Sequence, residues 1–281
     1  MHRRRAVVRA ALAAAALAIS SFAAQIATAA PAHAALDGLV LATPVSSPSD
    51  GAQIHNATAR CTGGRVVVGG GAKITGTNLS HKRLTLLMPV DTGVESYFAV
   101  TAQANTPVYE GNWGVTAYAV CAFRRSDYKI EPRADSAHGS GAFKQTAAVC
   151  TGGRRVIGTG AAVIAPVGKA GLVLNRAAGP LDISRASAHA EPGFTGAWHV
   201  SSWAICMNPI GAQVAGGTGS QVADANCPGN TLVHGAGGGG GLRDDGPIFV
   251  RTIEPIAGLR RVHVEMTGPY PVFMVAQAIC A

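Results

Sequence analysis

Cys61-Thr62-Gly63-Gly64-Arg65-Val66-Val67-Val68-Gly69-Gly70-Gly71 is written a second time as Cys150-Thr151-Gly152-Gly153-Arg154-Arg155-Val156-Ile157-Gly158-Thr159-Gly160. A looser third copy runs Cys227-Pro228-Gly229-Asn230-Thr231-Leu232-Val233-His234-Gly235-Ala236-Gly237. Aligned without gaps, the three read C-[TP]-G-x-x-x-V-x-G-x-G. Each is answered 53 to 60 residues later by a second cysteine in a matching frame: Ala119-Val120-Cys121, Ala204-Ile205-Cys206 and Ala278-Ile279-Cys280. A segment repeated in one register demands the same backbone each time, so the repeat, more than any single residue, decides the fold.

Working outward, each unit reads as short strands. In unit one Leu84 to Met88 and Tyr97 to Gln103 are strands, and a turn at Glu110-Gly111-Asn112 leads into Trp113 through Cys121. There Trp113, Val115, Ala117, Ala119 and Cys121 fall on one face by the period of two, with Thr116 and Tyr118 on the other. Unit two repeats the scheme, with Trp198 eight residues before Cys206. Unit three puts Val272 at that position. The chain is therefore expected to be all-β. Three tandem four-stranded antiparallel units, each braced by a disulfide, would pack with pseudo-threefold symmetry as in a β-prism. The units span residues 57-123, 146-208 and 223-281 of one domain at 57-281. If each unit folds alike, the bridges are Cys61–Cys121, Cys150–Cys206 and Cys227–Cys280. The other arrangement joins Cys121 to Cys150 and Cys206 to Cys227, leaving Cys61 with Cys280.

The bulk composition agrees. Of 281 residues, 36 are Gly, 48% are hydrophobic and only 14% are charged; glycine averages about 7% of residues in globular chains. Glycine without a G-X-Y period, among short Val/Leu/Ile runs, favours turn-rich β structure. Residues 1-34 read as a signal peptide: Arg3, Arg4, Arg5 and Arg9, an Ala/Leu/Ile-rich core, then Ala32-His33-Ala34 before the cleavage point. The alternative is an N-terminal anchor. Four basic residues and no acidic ones leave with that leader, so the formal charge falls from +8 to +4, which is ordinary solubility and no nucleic-acid footprint. No later segment is apolar enough to span a bilayer. Six cysteines in an exported chain should be oxidised. Residues 35-56, with Pro44, Ser46, Ser47, Pro48 and Ser49, read as an extended arm or linker.

The three-sheet layout resembles that of β-prism proteins such as the vitelline membrane outer layer protein and the jacalin-type lectins, although the Q-x-D-x-N-x-V-x-Y signature of the monocot mannose lectins is missing. The pairing of C-[TP]-G-x-x-x-V-x-G-x-G with W-x-V-…-A-[VI]-C is similar to a repeat of secreted actinomycete proteins without assigned activity, over residues 61 to 281. That resemblance implies export and repetition. The prism resemblance implies glycan binding by analogy of fold.

Candidate chemistry is sparse. Gly235 to Gly240 satisfies GxGxxG trivially, with no βαβ context. His138-Gly139-Ser140-Gly141 lacks the G-x-S-x-G elbow. His199 and His263 alternate outward on their strands, and the histidines show no metal-binding spacing; no metal and no cofactor are expected. Asp244-Asp245, beside Arg243, is the one adjacent carboxylate pair, in a turn that could offer these groups to sugar hydroxyls or a cation. Tyr118 and Trp203 stand at one repeat position, three before the second cysteine, and would be stacking platforms if that face is wet. The expectation is a secreted, non-catalytic binding protein for glycan or cell-envelope ligands. The alternatives are a secreted hydrolase with residues in the inter-repeat loops, and a structural coat or matrix component.

Overall fold

A computed structural model describes residues 35–105, 111–240, 248–267 and 273–281. These form twenty strands, a single short 3-10 turn at Leu79–His81, and no α-helix among the described residues. Repeat one supplies β1 (Val40–Leu41), β2 (Val45–Ser46), β3 (Ile54–Arg60), β4 (Arg65–Gly76), β5 (Lys82–Asp91), β6 (Ser96–Ala104) and β7 (Trp113–Phe123). Repeat two supplies β8 (Lys129–Ile130), β9 (Ala134–Asp135), β10 (Phe143–Val149), β11 (Arg155–Ile164), β12 (Ala170–Ala178), β13 (Ile183–Ala190) and β14 (His199–Met207). Repeat three supplies β15 (Gln213–Gly219), β16 (Val222–Asn226), β17 (Val233–Gly240), β18 (Phe249–Pro255), β19 (Arg261–Thr267) and β20 (Met274–Cys280).

The strands assemble into three antiparallel sheets. Sheet I runs β1-β7-β4-β18-β19-β16, with β2 also on β7; sheet II runs β8-β14-β11-β5-β6-β3, with β9 also on β14; sheet III runs β15-β20-β17-β12-β13-β10. Every sheet is thus half one repeat and half another. In each repeat the arm (β1 and β2, β8 and β9, or β15) joins the first and last long strands. The strand before the first cysteine and the middle hairpin cross into a neighbouring sheet. This differs from the expected one sheet per unit. The period of two reveals a strand and its buried face, but carries no information about which strand lies alongside.

The cysteine motif sits where the chain changes sheets. Cys61 lies between β3 in sheet II and β4 in sheet I, and the turn after it uses Gly63 (φ 67°) and Gly64 (φ 73°). Gly152 (φ 66°) and Gly153 (φ 75°) repeat it, a left-handed backbone that glycine adopts without a Cβ clash. Disulfides tie each corner to the last strand of its own repeat: Cys61–Cys121, Cys150–Cys206 and Cys227–Cys280, each with Cα atoms 5.7 Å apart.

Downstream of each corner the motif's V-x-G makes a β-bulge. Register slips between Val67 and Gly69, between Val156 and Gly158, and between Val233 and Gly235, leaving Val68, Ile157 and His234 as the extra residues. All three are buried. A Cβ on Gly69 would overlap the His234 carbonyl, one on Gly235 the Ile157 carbonyl, and one on Gly158 the Val68 carbonyl. The three bulges therefore lock backbone to backbone in a closed cycle, which accounts for this glycine in all three copies. Around that junction one apolar cluster draws on every repeat, including Phe98, Trp113, Leu172, Trp198, Ile253 and Met274.

Candidate functional site

The last motif glycine faces outward and governs the surface. Gly71 pairs with Tyr118, Gly160 with Trp203, and Gly237 with Gln277. On its other side, continuing the register, each glycine meets the neighbouring repeat at Glu254, Met88 or Arg176 respectively. The same row then reaches His263 and Asp224 in sheet I, Ala99 and Thr58 in sheet II, and Arg185 and Ala147 in sheet III. One scaffold position thus carries three different chemistries.

Sheet I carries a connected polar array. The Tyr118 hydroxyl leans across Gly71 and donates to Glu254 Oε1 at 2.7 Å, while Lys73 Nζ donates to Glu254 Oε2 at 3.0 Å. His263 lies between two carboxylates, Nδ1 at 2.8 Å from Asp224 Oδ1 and Nε2 at 3.1 Å from Glu265 Oε1. Glu265 Oε2 also accepts from Arg251 Nε at 3.0 Å and from Thr252 Oγ1 at 3.0 Å, and Arg261 lies 3.5 Å from Asp224. With strands about 4.8 Å apart, the row from Tyr118 to Asp224 spans about 19 Å. Tyr118 is buried, Glu254, His263 and Asp224 are partly exposed, and the row is held by its own hydrogen bonds and ion pairs.

Electrostatics follow from those pairs. Burial disfavours a charged His263, but the hydrogen bonds to Asp224 and Glu265 outweigh it and raise its pKa above the ordinary histidine value. Burial likewise works against the Glu265 carboxylate, yet donors from His263 and Arg251 hold its pKa below the usual range. Burial first, and then Glu254, push the Tyr118 hydroxyl upward, so it stays a donor at neutral pH.

The sequence candidates fare differently. Tyr118 is only 8% exposed and its hydroxyl is committed to Glu254, so it offers little open ring. Gln277, which occupies the same repeat position in the third copy, is buried, its amide clamped on Ala177 by Oε1 to the N–H at 2.7 Å and Nε2 to the carbonyl at 3.0 Å. Trp203 remains partly exposed on sheet II. Arg243, Asp244 and Asp245 lie outside the described residues, as does the leader at 1–34. His263 does alternate outward, but His199 is buried, against expectation. The arm continues from β9 alongside β14 to a bridge between Gly139 and Trp198, and there the His138 ring packs on His199 with centroids 3.9 Å apart.

Sequence reasoning also missed a serine-histidine-aspartate grouping on the first arm. Ser47 Oγ lies 3.2 Å from His55 Nδ1, and His55 Nε2 lies 3.4 Å from Asp50. Ser47 Oγ already accepts from the Val115 N–H and donates to the Pro48 carbonyl, and His55 sits edge-on against Trp113 in the core. The grouping therefore pins the arm to β7 and presents no free nucleophile. A groove of about 390 Å³ along the arm, lined by Val40, Ala42, Thr43, Val45, Thr58 and Arg60 among others, carries no carboxylate or histidine. Among the described residues no group of three or more His, Cys, Asp and Glu is placed to hold a metal ion, and no helix is long and apolar enough to cross a membrane. No protein-family model matches the chain, and no curated protein is similar to it.

Proposed function

We propose that the chain is exported by its N-terminal leader and works outside the cytoplasm as a non-catalytic binding protein. Its three sheets would close into a pseudo-threefold prism, with the outer face of sheet I meeting a glycan or a comparably polar cell-envelope component. The observation that carries this reading is the row Tyr118–Glu254–His263–Asp224. The scaffold does not require it, since the matching rows hold Met88–Ala99–Thr58 and Arg176–Arg185–Ala147 on the same backbone. Fixed carboxylates and cations on a sheet face suit a ligand of many hydroxyls, which both donates and accepts. Support for export comes from the three bridges, which persist in oxidising compartments.

The test is a glycan array and calorimetry with protein beginning at Ala35. Binding to an envelope polysaccharide should weaken at least tenfold in Glu254→Gln/Asp224→Asn with the fold intact by circular dichroism. Binding untouched by that double substitution would remove sheet I from the account. Silence across the array would favour the structural coat instead.

A further inference from the structure

On a different sheet, we propose that Arg176 and Arg185 form an oxyanion site, for phosphate or sulfate either free or as an ester on a polymer. The two are directly opposite on β12 and β13. Their chain neighbours Asn175, Ala177, Ser184 and Ala186 are all buried, so alternation sends both arginines to the outer face of sheet III. Like charges directly opposite on adjacent strands destabilise a sheet. Three cations of sheet I have carboxylates: Lys73 has Glu254, Arg251 has Glu265 and Arg261 has Asp224. By contrast, no ion pair or hydrogen bond within the described residues engages the side chain of Arg176 or Arg185. Arg176 Nε is moreover buried without a hydrogen-bond partner, a donor that costs free energy while it stays unmatched.

The surroundings leave room. Gly237 and Ala147 flank the pair in its row, and Gln277 beyond Gly237 is folded down onto Ala177. Two guanidinium forks over small residues fit a tetrahedral oxyanion, which can take paired N–H donors from each. An anion there would accept from the outward ends of the two guanidinium groups and convert the repulsion into a bridge. This site stands apart from the sheet I reading and can succeed or fail without it.

Thermal unfolding in inorganic phosphate against sodium chloride at equal ionic strength is the first measurement. Phosphate should raise Tm, and Arg176→Gln and Arg185→Gln should each abolish that increment. Arg185→Glu is the sharper variant. By pairing with Arg176 it should raise Tm in the absence of phosphate, yet remove the response to it. A phosphate effect no larger than that of chloride, or one surviving both glutamine variants, overturns the site. Binding of a phosphodiester polymer more than tenfold tighter per phosphate than the free ion would assign the natural source to a polymer; equal affinity would assign it to the free anion.

Discussion

Val68, Ile157 and His234 occupy one repeat position, the extra residue of each bulge, and only the third can titrate. His234 is fully buried, and neither ring nitrogen has a hydrogen-bond partner. Burial alone lowers its pKa to about 4. The unfolded chain takes up a proton near pH 6.5 that the folded one refuses until about pH 4. Stability from this site is therefore complete above 6.5 and declines as pH falls toward 4, by about 3 kcal/mol in all. His234→Val removes both the unmatched nitrogens and the titration. It should be more stable at neutral pH by about 1–3 kcal/mol, with the margin widening below pH 6.5 in urea titrations. A margin constant with pH would place the acid sensitivity elsewhere. His263 has the opposite sign, since its raised pKa gives stability that is present below 6.5 and fades as pH rises through the folded value.

At the scale of elements, the bulge glycines and the bridges do different work. Gly158→Ala should cost about 3 kcal/mol or prevent folding, because the new methyl meets a carbonyl of another repeat and no flexible side chain can yield. Gly152→Ala in the turn has nothing within 4 Å to meet and only its φ of 66° to lose, so a loss of about 1 kcal/mol is expected. Chemical denaturation of the pair separates contact from conformation. The bridges span 60, 56 and 53 residues, so the chain-entropy model assigns each about 4 kcal/mol. Cys150→Ala/Cys206→Ala should lose that much or more, since the bridge also packs in a small cluster with Val156, Leu181 and Ile279. What could be read from the sequence follows the same division. Strands such as Trp113–Phe123 announce themselves by alternation, and the motif glycines by repetition. The arms do not: Lys129–Ile130, Ala134–Asp135 and Gln213–Gly219 lie in Gly-, Ala- and Ser-rich stretches with no apolar period, and they are strands because β14 and β20 offer them open edges. The row on sheet I was equally hidden, because Glu254, His263 and Asp224 come from three strands whose adjacency is a matter of pairing, and Tyr118 from another repeat.

At the scale of the molecule, the cyclic exchange of halves sets what can be cut. Each sheet needs two repeats, and the bulge cycle needs all three. Residues 124–207 alone would leave β11 without β5 and β12 without β17, two bare strand edges and half a core. That fragment should be unfolded or aggregated by circular dichroism even with its bridge formed. The whole chain should unfold in one transition, with calorimetric and van't Hoff enthalpies equal. Beads on a string would give a folded fragment and separate steps. The same cycle makes the place where the chain begins almost arbitrary. Ala35 and Ala281 line one groove, and the junction at Arg124, Arg125 and Ser126 is exposed. A permutant beginning at Ser126, with Ala281 joined to Ala35 by a short Gly/Ser linker, keeps every sheet pairing and all three bridges. It should fold with the same disulfide map by non-reducing mass mapping and lose little stability, because cutting an exposed junction breaks few buried contacts. Failure of the permutant alongside success of the fragment would mean that the repeats, and not the sheets they share, are the units of folding.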